Sequence, residues 1–470
     1  MEEPKPPMNA PTPFTTSRRE FLKHTGRFAA VSALAGVTLP YVHGQEAPSA
    51  GSEGIQLALI GCGGRGTGAV QNALSVSGGA LKLVAMADVA ENKLTGSYNA
   101  LRDKFGTQIE VPEDRRFIAF DGFKNAVDCL KKGDIAIFAT PAAFRWVHFK
   151  YAIEKGVHVF MEKPISVDGP TSRKMLALSE EAEQKGIKVA VGLMCRHDRR
   201  REELYKRIQD GEIGEIMGFR TYRMQGPVAS CFSERKPEGK NELLWQIERF
   251  HSFLWASGGS FSDYMIHNID ECCWMKNEFP TFARASGGRH FRGDYVDQNF
   301  DHYSVEYVFE DGVRMQMEQR NITGCQDEFA SYVHGTKGLG IISSAGHTPA
   351  KCRIFKGYNV KSENLLWRAE QPEPNPYQTE WDDFISAVRQ DLPYNEVKRS
   401  VEASLMCVLG RMAAHTGQPL TRDEVLNHEH EFAPDLDKLT MDSPAPIIAD
   451  ADGKYPVPQP GITKKREYSV

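Results

Sequence analysis

Residues 55–66 read IQLALIGCGGRG, and this stretch decides how the first half of the chain folds. The apolar run predicts a short buried strand, and Gly61-Cys62-Gly63-Gly64-Arg65-Gly66 follows it directly, ahead of a helical stretch over 68–76. A lone G-x-G-x-x-G string is weak, but between a strand and a helix it is a dinucleotide fingerprint. There Gly61 permits the tight turn, Gly63 lets backbone approach a pyrophosphate, Gly66 allows close helix-strand contact, and the helix N-terminus favours the phosphates. Cys62, Gly64 and Arg65, inside the same turn, are assigned to the cofactor with them. LKLVAMAD (81–88) reads as the next strand, and its terminal Asp88 is placed to accept hydrogen bonds from adenosine ribose hydroxyls, which favours NAD. NADP stays open, because Arg65 or Lys93 could meet a 2′-phosphate.

Working outward, DIAIFATP (134–141), HVFMEKP (158–164) and KVAVGLM (188–194) read as buried strands. They alternate with helices over RWVHFKYAIEKG (145–156) and PTSRKMLALSEEAEQKG (170–186). Such alternation implies parallel pairing with right-handed crossovers, so residues 55–195 are expected to form an α/β, doubly wound Rossmann sheet with its crevice beyond the strand C-termini. From residue 196 to 440 the texture becomes α+β: longer alternating strands in GEIMGFRTYRM (214–224), FDHYSVEYVFEDGVRMQMEQRN (300–321) and GTKGLGIIS (335–343), with a hairpin signal at Asp311-Gly312. This predicts a mostly antiparallel sheet, with helices near 375–390 and 400–417 whose apolar spacing should make them cover the sheet or pack back on the first domain. Residues 441–470 read as an extended, Pro-rich tail.

The N-terminal 44 residues are set aside as a targeting segment. TSRREFLKHTGRFAAVSALAGVTLPYVHG (16–44) places Arg18 and Arg19 before Phe21, Leu22 and Lys23 and then runs into a short Ala/Gly-rich apolar stretch, the pattern of a twin-arginine export signal. That stretch contains Gly36 and Pro40 and is shorter than a bilayer span, so the mature protein is expected in the periplasm or otherwise exported, without a transmembrane anchor. Residues 45–54, QEAPSAGSEG, read as a flexible linker. The formal net charge of -5, without long like-charge blocks, advertises no nucleic-acid partner. Nine scattered cysteines without C-x-x-C spacing read as buried small hydrophobes rather than a disulfide scaffold or zinc site.

Thr140-Pro141 after one strand, Glu162-Lys163-Pro164 after the next, and Asp263 with His267 in GGSFSDYMIHNID (258–270) are similar to the characteristic segments of the Gfo/Idh/MocA oxidoreductase family, here of an exported type, over residues 55 to about 430. The resemblance implies that Thr140, Pro141, Glu162 and Lys163 border the cofactor and that Lys163 stands near both nicotinamide and substrate oxygen, where a cation stabilises a developing alkoxide. The substrate it implies is a small carbohydrate. Helical spacing of four puts Asp263 and His267 on one face. Oxidation of a secondary alcohol needs a base of near-neutral pKa, which His267 supplies; Asp263 would orient it or bind a neighbouring hydroxyl. A metal face of Asp263, His267 and Glu271 is a rival reading. Arg196, Tyr222, Arg223, Trp245 and Arg249 are candidates for a sugar-binding wall of planar donors and aromatic faces. An NAD held through export would be recycled within the protein, by paired carbohydrate substrates or by a redox-neutral glycosidase or lyase scheme of oxidation, elimination, hydration and reduction. A non-catalytic dinucleotide sensor is the remaining class. A homo-oligomer is expected through an open sheet face.

Overall fold

Among the residues described by the computed structural model, 54–78 and 81–469, six strands form one parallel sheet. They are β1 (Gln56–Ile60), β2 (Lys82–Asp88), β3 (Arg116–Ile118), β4 (Ile135–Phe138), β5 (His158–Met161) and β6 (Val189–Val191), in the order β3-β2-β1-β4-β5-β6. Near-continuous apolar strands are what a sheet covered on both faces requires, and Leu57, Ala58, Leu59, Ile135, Ile137 and Phe138 are fully buried. The strand order reverses between β1 and β4, which opens a crevice at their C-terminal ends, where Gly61, Thr140 and Glu162 follow β1, β4 and β5. The twin-arginine reading at Arg18 and Arg19 lies outside the described residues.

The helices of this half obey the stop signals in the sequence. They are α1 (Gly64–Leu74), α2 (Glu91–Phe105), α3 (Gly122–Asp128), α4 (Arg145–Lys155) and α5 (Gly169–Gln184). Gly156, with φ of 72°, ends α4 in the left-handed conformation, and Asp168 starts α5 through a reciprocal capping box with Thr171. The first helix begins four residues before the expected 68, because the glycine turn itself winds into its first turn. That leaves the free N–H groups of α1 at the crevice, where a phosphate needs them.

After α6 (Arg199–Gln209), β7 (Ile216–Gln225) enters a second sheet. Then α7 (Glu242–Glu248) and α8 (Leu254–Ser257) lead into α9 (Gly259–Lys276), which carries Asp263 and His267. The remaining strands are β8 (Phe282–Gly288), β9 (His302–Val308), β10 (Arg314–Asn321), β11 (Glu328–Gly335), β12 (Gly338–Ser344), β13 (Arg353–Lys356), β14 (Leu365–Arg368) and β15 (Leu420–Thr421), in the order β14-β13-β12-β11-β7-β10-β9-β8-β15. Every pairing is antiparallel except β7 with β10. Alternation sends Tyr303, Val305 and Tyr307 of β9 and Met315 and Met317 of β10 into the core beneath α9 and α11 (Val397–Thr416). The preceding helix, α10 (Pro376–Arg389), returns to the parallel sheet, where Trp381 stacks on Phe160 at 4.4 Å between ring centroids. Residues 441–469 hold neither helix nor strand, yet Tyr455 and Tyr468 are buried, so the tail is packed and not merely extended.

Candidate active site

The glycine turn is shaped by close contact on one side and open space on the other. Gly61 has φ of +93°, and a Cβ there would stand 2.6 Å from the carbonyl carbon of Ala139; one on Gly66 would stand 2.1 Å from Gly61 O. At Gly63 and Gly64 a Cβ would meet no atom within 4 Å, so this side is free for a ligand to approach the backbone. Asp88 closes the far end: Cys62 N–H donates to its Oδ2 at 2.6 Å and Ala90 N–H to its Oδ1 at 2.9 Å. Burial pushes the Asp88 carboxyl up, against the pull of those two donors. The remaining lone pairs suit ribose hydroxyls, and the whole arrangement fits a dinucleotide. Arg65 turns away from Asp88, pairing with Glu162 at 2.6 Å and lying over the Tyr377 ring at 4.7 Å.

The Thr140 and Glu162 segments are fastened to each other by Arg145, the first residue of α4. Its Nε donates to Glu162 O at 2.7 Å and its Nη1 to Thr140 Oγ1 at 2.8 Å. Burial pulls this guanidinium down to about 10, although Glu162 and Asp263 favour its charge. With the loop after β5 fixed in this way, Lys163 reaches across to α9, where its Nζ donates to Asp263 O at 2.8 Å and lies 3.5 Å from Asp263 Oδ1. His251 Nε2 lies 3.2 Å from the other carboxylate oxygen, and Ser230 Oγ is 2.9 Å from His251 Nδ1. Burial would raise the Asp263 carboxyl, but Lys163 and then His251 outweigh it and hold the group well below the usual carboxylate range.

His267, one turn further along α9, is 5% exposed, and its Nδ1 is buried without a partner. Helical spacing does put it on the Asp263 face, but Asp263 spends its oxygens on Lys163 and His251 rather than orienting the imidazole. Burial, Lys163 and Arg223 together hold His267 far below the ordinary histidine range, hence neutral. Its ring meets that of His347 edge-on at 4.5 Å, and Arg223 Nη1 lies 2.7 Å from His347 Nε2. The structure thus brings Lys163, Asp263, His267 and Arg223 together beside the crevice. Glu271 is committed to Arg201 at 2.9 Å and Ser343 at 2.7 Å, which removes it from the rival metal face. Among the described residues no group of three or more His, Cys, Asp or Glu side chains is arranged to hold a metal.

Two family models match the chain: an oxidoreductase family with an NAD-binding Rossmann fold over residues 55–193, and a GFO/IDH/MocA C-terminal domain over residues 202–339, together more than half of the chain. The chain belongs to the Gfo/Idh/MocA oxidoreductase family. Its parallel sheet is the NAD-binding domain of that family. Scyllo-inositol 2-dehydrogenase (NAD(+)) of Bacillus subtilis is 25% identical over 227 residues, 48% of this chain and 59% of that protein. Inositol 2-dehydrogenase of Rhizobium meliloti is 23% identical over 72% of this chain and 89% of its own length. The fold is shared with aldose-aldose oxidoreductase from Caulobacter crescentus (TM-score 0.60, 17% identity, 78% of this chain and 100% of that one). It is shared also with scyllo-inositol dehydrogenase from Lactobacillus casei with bound NAD(H) and scyllo-inositol (TM-score 0.56, 18% identity, 79% of this chain and 100% of that one).

Other sequence candidates are placed differently in this family member. Tyr222 cannot share a wall with its neighbour Arg223, since adjacent strand residues point to opposite faces; its ring meets Tyr332 at 6.2 Å. Arg196 is closed in a bidentate pair with Asp270, both bonds 2.8 Å. Trp245 is buried against Phe253 and Tyr455, and Arg249 donates to Ser233 Oγ and Phe232 O. Conversely, Arg145, Ser230, His251 and His347 escaped the sequence reading. His251, in the single 3-10 turn Phe250–Ser252, and His347, in a loop, have no spacing that ties them to α9. Arg145 did carry a signal: a cation at a helix N-terminus opposes the helix dipole and needs another reason to be there.

Proposed function

We propose that this chain is an exported NAD-dependent dehydrogenase that oxidises a secondary hydroxyl of a sugar, polyol or related carbohydrate and retains its nucleotide between turnovers. The observation that carries the reading is the meeting of Lys163, at the end of β5, with Asp263 and His267 of α9 beside the glycine turn. NAD+, held by Gly61, Gly63, Gly64, Gly66 and Asp88, supplies the hydride acceptor. The chain's own groups attend to the oxygen. Lys163, steadied by Asp263, offers its ammonium to the developing alkoxide. His267 is not the near-neutral base expected from the sequence, because burial, Lys163 and Arg223 disfavour its imidazolium; it takes the hydroxyl proton as negative charge develops on the substrate oxygen beside it. An imidazolium so disfavoured gives its proton up again readily, which suits a cycle that oxidises one substrate and reduces the next.

The names of the relatives, inositol dehydrogenases and an aldose-aldose oxidoreductase, support a carbohydrate substrate and, in the second case, a paired-substrate cycle. Export through the twin-arginine machinery rests on the S-R-R-x-F-L-K pattern at 17–23, and it favours a cofactor loaded before passage. Among the described residues no helix is long and apolar enough to cross a membrane. The uncovered face of the second sheet, where Ser304, Glu306, Gln316 and Glu318 are half-buried, is where we place contact with a second copy, to be checked by light scattering. Denaturing the purified exported protein is expected to release about one nicotinamide nucleotide per chain, and adding carbohydrates to the intact protein to change the absorbance of the bound nucleotide. Lys163→Ala is expected to slow that change about 10²-fold or more. Unchanged turnover would remove Lys163 from catalysis, and a nucleotide-free protein would remove retention.

A further inference from the structure

Several buried or half-buried arginines in this protein are neutralised by carboxylates, Arg196 by Asp270, Arg201 by Asp198 and Glu271, Arg411 by Glu467, while Arg145 gives its donors to Glu162 O and Thr140 Oγ1. Arg223 is different. Its guanidinium lies 4.2 Å over the Phe329 ring, donates to Tyr264 O at 3.2 Å and to His347 at 2.7 Å, and leaves Nε buried without a partner. Among the described residues no carboxylate stands within ion-pairing distance of it. A charge taken out of water without a counter-ion is costly, so its retention beside the reacting centre calls for a ligand that repays the cost.

Lys163 adds a second positive charge beside it, and His347 a second unmet donor. Lys163 and Arg223 are two cations facing the single carboxylate of Asp263. Arginine can only donate, so Nε2 of His347 must accept and its ring proton sits on Nδ1, a buried donor without a partner. His267, held neutral, has an unpartnered Nδ1 as well. Arg223 Nε and His347 Nδ1 are thus two buried donors without acceptors, beside positive charge that Asp263 alone does not balance. A hydroxyl group supplies a donor with every acceptor; a carboxylate supplies acceptors and the missing charge, in the planar geometry that a guanidinium matches.

We propose that the substrate is a sugar or polyol bearing a carboxylate, received by Arg223 and His347 while Lys163 and His267 attend the hydroxyl to be oxidised. This rests on the dehydrogenase reading above and narrows it to sugar acids. The carboxylate is a handle and is unchanged, so the balance of the oxidation is unaltered.

The test is calorimetric titration of the nucleotide-loaded protein with paired ligands: glucuronate against glucose, galacturonate against galactose, mannuronate against mannose. At least one acid is expected to bind about tenfold or more tightly than its neutral partner, the size of a charge-assisted hydrogen bond. Arg223→Gln is expected to erase that preference, and Arg223→Lys, which keeps the charge but not the fork, to retain part of it. Should the glutamine variant fail to fold, the lysine variant and the wild-type pairs still decide. Equal or tighter binding of the neutral sugar in every pair, or no binding of any acid, overturns the proposal. Absorbance of the bound nucleotide, followed in parallel, separates the two readings. An acid preference without any absorbance change defeats the dehydrogenase and leaves the recognition, whereas oxidation of neutral sugars alone, indifferent to Arg223→Gln, defeats the recognition and leaves the dehydrogenase.

Discussion

Gly66 leaves no room for a single methyl group: a Cβ there would sit 2.1 Å from Gly61 O and 3.1 Å from Ala139 Cβ, both parts of the wall behind the cofactor turn. Gly66→Ala must push the turn outward, at a cost of about 1–3 kcal/mol, which is about 5- to 150-fold in nucleotide affinity. The expected outcome is a folded protein largely stripped of nucleotide, read by quantifying what denaturation releases. Asp263 fails in a different way. Asp263→Asn keeps the shape but removes the charge that holds Lys163 and His251, so turnover is expected to drop about 10²-fold while bound nucleotide stays at the wild-type level. Equal loss of both would mean that Asp263 serves the fold of the crevice and not the chemistry. Short motifs mark Lys163, Asp263 and His267 as candidates in the sequence, and the fold brings them together. Their electrostatics is not legible there, because Arg223, His251 and His347 approach from segments remote in sequence.

The elements were legible to the extent that their burial is simple. Strands buried on both faces, such as β1 and β4, are almost wholly apolar, and helix ends at Gly156 and Asp168 carry their own chemistry. The parallel pairing of β7 with β10 inside an otherwise antiparallel sheet left no local mark, since register is a property of partners. Nor does spacing show where α10 and α11 meet the crevice side of the parallel sheet. There His197, just before α6, is held between Asp383 of α10 at 2.8 Å and Glu396 at the start of α11 at 3.1 Å. Burial alone would lower its pKa; the two carboxylates outweigh burial and raise it to about 10. A histidine with a folded pKa above its unfolded value of about 6.5 stabilises fully below that value, and the contribution is lost as pH rises through about 10. Urea midpoints from pH 6 to above pH 10 should therefore show wild type well ahead of His197→Gln at pH 6 and the gap closing at the alkaline end. A constant gap would mean that the imidazole acts by packing alone.

At the scale of the whole molecule, the C-terminal tail is what locks the pieces of the candidate site together. Glu467 is buried in a bidentate pair with Arg411 of α11, both bonds 2.8 Å, and also accepts from His415 at 2.7 Å. The other donors of Arg411 reach Val167 O at 2.9 Å, just beyond the Lys163 segment, and Gly258 O at 3.0 Å and Ser262 Oγ at 2.8 Å, at the start of α9. One guanidinium thus ties the tail, α11, the loop bearing Lys163 and the helix bearing Asp263 and His267. Glu467→Leu strands a buried charge and is expected to cost about 3–5 kcal/mol. Adding Arg411→Met to it removes the stranded charge and should return much of that loss, because a buried pair replaced by apolar side chains is often neutral. Arg411 and His415 hold the Glu467 carboxyl below the usual range in spite of burial, so its contribution is complete above the unfolded value of about 4.3 and is lost as pH falls. Denaturant unfolding of the two single variants and the double variant at pH 7 measures the coupling, and a repeat at lower pH should find it diminished. If the double variant recovers stability but turns over slowly, the tail's task is to position the catalytic loop and helix; if it recovers both, the tail only holds the fold closed.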